Sequence, residues 1–169
     1  MNTPVNRKTV DLSAYPELVV IYLGIRVNIL TGLKTAIGLG PQIDAAGRAR
    51  PEGLLHYENN IIFSVFPFHI GMRWYWRDFE SMELWARSAP HREWWQKFIK
   101  NSGGTGFWHE SYFMTGGMEA VYDDIFKPTG LHAFAPVIDA RGSSFSSRGR
   151  MKKGSEPKQP VGTSESEIY

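Results

Sequence analysis

The chain has 169 residues, enough for one compact domain with some chain to spare, and 19 Lys and Arg against 17 Asp and Glu leave a formal charge of +2. It contains no cysteine, which excludes disulfide frameworks, thiolate nucleophiles, cysteine-ligated zinc and iron–sulfur clusters. Residues 1–140 hold 13 basic and 14 acidic side chains and residues 141–169 hold 6 and 3, so a body of −1 carries a tail of +3 and has no broad basic field for nucleic acid.

Residues 1–16 read as an N-terminal extension. They include Pro4, Asp11 and Pro16 before any hydrophobic run, unlike the basic-then-apolar order of a secretory signal. The apolar stretch 18–33 is shorter than a ~20-residue membrane span and is interrupted by Arg26 and Asn28. A cytoplasmic protein with no membrane span is therefore expected.

Residues 18–27, rich in Val, Ile, Leu and Tyr, predict a strand. Its alternation sets Val19, Ile21, Leu23, Ile25 and Val27 on one face, against Val20, Tyr22, Gly24 and Arg26 on the other. Residues 30–48 predict a helix that Gly32, Gly38, Gly40 and Pro41 would each weaken. Two extended runs, 54–63 and 68–77, predict a hairpin, the second run with Met72, Trp74 and Trp76 opposite Arg73, Tyr75 and Arg77. Asp78 is an N-cap candidate, accepting from the amide near Ser81, for a helix over 79–87. A second helical piece runs from Pro90 to about residue 100 with Trp94, Trp95 and Phe98 on its buried side, and 106–114 predict a fourth strand.

The order β-α-β-β-α-β is that of an α+β, ferredoxin-like sheet with helices on one face. Such a sheet needs a cover for its second face, and the mixed faces suit another copy of the same sheet, hence a homodimer. The domain is expected over 17–140. From Arg141 onward, Gly, Ser, Lys, Pro and Glu dominate, and residues 141–169 are expected to be mobile because so little apolar surface offsets ordering entropy.

All six tryptophans fall between Trp74 and Trp108, so this stretch fills a large core or walls a pocket for a small apolar substrate. Taking the mixed faces as the pocket walls places Tyr22, Arg26, Arg73 and Tyr75 inward. The fourth strand contributes either Phe107, His109, Ser111 and Phe113 or Trp108, Glu110 and Tyr112, and alternation alone does not choose between them. Glu110 inward would pair with Arg26 or Arg73. His109 inward would supply a general base with an ordinary pKa near ~6.5, although a mid-strand histidine is commonly a structural group. His91, at a helix start, reads as a surface or hinge residue. The five histidines show no metal-ligand spacing, so no metal is expected, while haem held by one histidine stays open.

Several runs are familiar: Tyr75-Trp76-Arg77 with Phe79-Glu80, then Ala86, His91, Trp95 and Phe98, then Gly106-Phe107-Trp108-His109-Glu110-Ser111-Tyr112, then Glu119-Ala120-Val121-Tyr122. Over about residues 20–131 the chain resembles small proteins allied to the antibiotic-biosynthesis-type monooxygenase of the fungal fumagillin pathway. The resemblance implies a dimeric α+β barrel and, in many relatives, monooxygenation of polyketide or aromatic substrates without metal or flavin. Other branches of that superfamily bind haem, and others are cyclases, isomerases or decarboxylases. The glycines between Gly32 and Gly47 depart from the aliphatic or methionine-rich first helix that the resemblance favours.

These readings converge on a cofactor-independent monooxygenase of secondary metabolism. His109, Arg73 and Glu110 are its candidate catalytic residues, with Arg73, or secondarily Arg26, stabilising an enolate or peroxide anion. Tyr22, Arg26, Tyr75, Trp108 and Tyr112 are expected to shape the substrate pocket. A non-oxidative cyclase or isomerase using the same groups, or a non-catalytic binding module, is the alternative.

Overall fold

The computed structural model describes residues 5–114 and 117–151. In chain order its elements are β1 (Arg7–Val10), β2 (Val19–Val27), α1 (Gly32–Arg48), β3 (Leu54–Ser64), β4 (His69–Trp76), α2 (Phe79–Arg87), α3 (His91–Lys100), β5 (Thr105–Phe113), β6 (Tyr122–Asp123), β7 (Val137–Asp139) and α4 (Ser147–Met151). Short 3-10 turns lie at Gly130–Ala133 and Gly142–Ser144. The chain forms two compact units, one of residues 17–113 and one of residues 1–16 with 114–169.

The 17–113 unit is a four-stranded sheet in the order β3-β4-β2-β5, antiparallel at every pairing. With α1 between β2 and β3, and α2 and α3 between β4 and β5, this is the ferredoxin-like arrangement. Register fixes the faces. Tyr22 pairs with Arg73 on one side and Glu110 on the other, while Leu23 pairs with Met72 and His109, so these two trios point to opposite faces.

The apolar face meets the helices. Val19, Met72, Trp74 and Trp76 pack with Ile43 of α1 and Met82 of α2 into one buried cluster, joined by Trp85 and by Trp94 of α3. Trp76 is fully buried. At roughly 25 cal/mol per Å² of apolar area, such large side chains supply much of the core's stabilisation. Pro41 and three interior glycines do not break α1, which is continuous over 17 residues. The helix needs Gly32 small: a Cβ there would sit 2.4 Å from the Gly104 carbonyl oxygen.

Helix α2 starts where the local sequence predicts. The Ser81 amide donates to Asp78 Oδ1 at 2.7 Å, and this bond, with help from Arg77, holds the Asp78 carboxyl below its ordinary pKa.

The second unit contains a three-stranded antiparallel sheet, β6-β1-β7. Arg7 makes two 2.8 Å hydrogen bonds to Asp123 across it. Part of the N-terminal extension is therefore a strand. The compact sheet unit ends at residue 113, and the segment to residue 140 belongs with that strand. Of the expected mobile tail, the described part carries a 3-10 turn and α4. The Arg150 side chain is buried there on Glu119 at 2.6 Å, an ionic anchor that hydropathy does not reveal. The remainder of that expectation, residues 152–169, lies outside the described residues. Among the described residues no helix is long and apolar enough to cross a membrane.

Candidate functional site

Sheet and helices of the 17–113 unit do not fill all the space between them. A cavity of about 150 Å³ remains, walled by Ile21 and Leu23 of β2, Trp74 and Trp76 of β4, Phe107, His109 and Ser111 of β5, and Trp85, His91, Trp94, Trp95 and Phe98 from α2 and α3. An apolar cavity of about that size holds a benzene-sized group.

Its polar groups are few and specific. His91 Nδ1 lies 2.8 Å from the Ala86 carbonyl oxygen. A carbonyl only accepts, so Nδ1 carries the proton and Nε2 is left unprotonated. Burial lowers the His91 pKa; the Ala86 carbonyl opposes that shift, and the charge of His109 adds to it. His91 is thus held neutral at pH 7, packed on Trp85 with ring centroids 4.9 Å apart. His109 borders the same cavity from β5, beside the Phe107 ring at 6.3 Å, and is itself exposed to solvent. The indole N–H groups of Trp74 and Trp76 are buried without a hydrogen-bond partner. Each such donor costs about 1–3 kcal/mol, and both nitrogens are shut off from the cavity by the packing around them.

The sequence-predicted residues divide between the two faces. His109 faces this cavity; Arg73, Glu110, Tyr22, Arg26, Tyr75, Trp108 and Tyr112 belong to the other face by register. The expectation that the mixed face walls the cavity, and that His109 and Arg73 share it, is corrected: two side chains of opposite pleat cannot meet across their own sheet.

Arg73 is tied into its own face of the sheet. Its Nε donates to Glu58 at 2.8 Å and Nη1 to the Tyr22 hydroxyl at 2.8 Å, with the guanidinium over the rings of Tyr22 and Tyr75. Burial works against its charge, but these bonds raise its pKa above the ordinary value. Trp108 is committed too: its Nε1 donates to His69 Nε2 at 2.7 Å, and a Cβ on Gly24 would lie 2.7 Å from that same nitrogen. Trp108 therefore covers the backbone at Gly24. Glu110 accepts from the Tyr112 hydroxyl, and Tyr112 meets the Tyr22 ring edge-on at 5.8 Å.

His91 is the cavity residue that sequence reasoning missed. The sign for His91 was the helical spacing of His91, Trp94, Trp95 and Phe98, at i, i+3, i+4 and i+7. Among the described residues no cluster of three His, Asp or Glu side chains is placed to hold a metal ion. The space between His91 and His109 alone, about 150 Å³, lies below the ~300–1,000 Å³ of drug-sized sites and does not take a tetrapyrrole.

The model of a family described as monooxygenase af470-like matches residues 18–131. No curated protein matches the chain. Among solved structures, an aldoxime dehydratase in complex with butyraldoxime is 18% identical with a TM-score of 0.65, the match covering 89% of this chain and 43% of that one. Another aldoxime dehydratase is 16% identical with a TM-score of 0.64, covering 87% and 43%. SnoaB, a cofactor-independent oxygenase from Streptomyces nogalater, is 10% identical with a TM-score of 0.41, covering 57% and 91%. The chain thus spans less than half the length of the aldoxime dehydratases, and their likeness is one of fold.

Proposed function

The chain belongs to the monooxygenase af470-like family, and from that premise we propose that it is a cytoplasmic, cofactor-independent monooxygenase acting on an apolar polyketide, terpenoid or polyene. The observation that carries this reading is the pair of imidazoles, half-buried His91 and solvent-facing His109, on the wall of one mainly apolar cavity. His91 Nε2, neutral and aligned by Ala86, takes a proton from an activated carbon of the substrate. His109 donates a hydrogen bond to the oxygen that becomes anionic. In the net reaction a methylene becomes a carbonyl, one oxygen atom stays in the product, the other leaves as water, and all four electrons come from the substrate.

The Arg73 face is a structural layer in this account. A second copy covering it would complete a dimeric α+β barrel, and sedimentation that gave only the 19.2 kDa monomer would remove that part.

Oxygen uptake with apolar polyketides, terpenoids and polyenes tests the function. Uptake matching product is expected. Product formed under strict anaerobiosis overturns oxygenation and favours the second reading, a non-oxidative isomerisation, cyclisation or dehydration, which the same two imidazoles support because proton relay needs no oxygen.

A further inference from the structure

Beside α1 the sheet leaves another, larger cavity of about 460 Å³, open to solvent where Ile37, Pro41, Arg48 and Asn60 of its wall are exposed. Leu23 of β2 and Ile43 of α1 line both this space and the His91–His109 chamber, so the two adjoin across these side chains.

The larger cavity is apolar along Ala36, Phe68 and Ile70 and polar at Asp44, Arg48, Asn59 and Asn60. Asp44 accepts from Arg48, Asn59 and the Tyr57 hydroxyl, and the Asp44–Arg48 pair leaves no net charge there. Asn60 has a positive φ of 58°, in the irregularity where β3 loses register between Glu58 and Ile61. Its side chain is thus displaced from the regular ladder.

Helix α1 is built to keep this space open. Gly40 and Pro41 both line it, and both weaken a helix interior. Packing does not demand that Gly40 be small, since a Cβ there meets nothing within 4 Å. Pro41 withholds the amide that the carbonyl of Ile37, another wall residue, would otherwise receive.

The geometry points to a two-chamber substrate site. The reacting end lies between His91 and His109; the remainder, an elongated, uncharged, mainly apolar chain, passes Leu23 and Ile43 into the larger cavity and ends in a neutral hydrogen-bonding group beside Asn59 and Asn60. Together the chambers offer the room of a drug-sized site. Which end reacts rests on the proposed function; the binding geometry does not.

The test is fluorescence of N-phenyl-1-naphthylamine bound to the full chain, displaced by unbranched primary alcohols from pentan-1-ol to undecan-1-ol. Affinity is expected to rise about fourfold per methylene across the series, as for methylenes leaving water. In Gly40→Leu the rise stops after the shortest alcohols, whose affinity is unchanged. In Gly38→Leu, on the same helix but outside the cavity wall, the full rise persists; Gly40→Ala, a smaller change, shortens it less. A full rise in Gly40→Leu, a wild-type plateau at pentan-1-ol, or no dye binding overturns the proposal. The full chain-length dependence in a protein that consumes no oxygen with any substrate would keep the two chambers and remove only the oxygenase reading.

Discussion

His91 and His109 line one cavity from a helix and a strand, and the charge of His109 contributes to lowering the His91 pKa. Burial and this neighbour together favour the neutral form of His91, with Nε2 open to accept a proton.

The pH dependence has a definite sign. An unfolded histidine titrates near about 6.5, and folded His91 titrates lower, chiefly through burial. Its contribution to stability is complete above that value and is lost as pH falls from about 6.5 through the folded pKa, because the unfolded chain takes the proton first. Urea denaturation at pH 7.5 and pH 5 should show a larger loss in the wild type than in His91→Phe. Activity should fall over the same range as the base becomes protonated.

Adjacent residues should behave differently. His109→Ala and His91→Ala are expected to lower kcat by about 10²- to 10⁴-fold, the usual worth of a positioned acid or base. Glu110→Gln should leave kcat unchanged, since Glu110 points to the opposite face. Steady-state oxygen uptake compares all three.

Trp74→Phe and Trp76→Phe remove orphan donors while keeping an aromatic ring. Thermal denaturation should show little loss of stability, set by the smaller ring alone, because a buried unpaired N–H is removed with it.

Across the sheet, Glu58→Gln should destabilise the fold by roughly 1.5–3 kcal/mol, the worth of hydrogen bonds to a charged group. The partly buried Arg73 guanidinium then loses its counter-charge. Denaturation measures the loss, and kcat of the folded fraction should hold.

What the sequence reveals follows from how local each feature is. The Asp78 cap lies within four residues of its partner and was legible, as was the alternation along β2, β4 and β5. The cavity was not, because an unfilled volume under α1–α3 depends on how side chains from six elements interlock. The mixed face reads as the pocket in the sequence because charged and aromatic residues together suggest chemistry. In the fold, Arg73 is consumed by Glu58 and Tyr22, and Trp108 by His69 and the bare backbone at Gly24. His91 was readable as part of an inward helix stripe, but its polar partner is a backbone carbonyl, which has no letter in a sequence.

The most direct test of where the site lies is a histidine spectrum. With imidazole carbons labelled, N-phenyl-1-naphthylamine is titrated into the protein and the ring signals are followed by NMR. The account predicts that His91 and His109 shift while His69, bonded to Trp108, and His56, stacked on Tyr75 at 5.9 Å, stay in place. Movement of His69 and His56 with His91 and His109 unchanged would contradict it, returning the site to the Arg73 face.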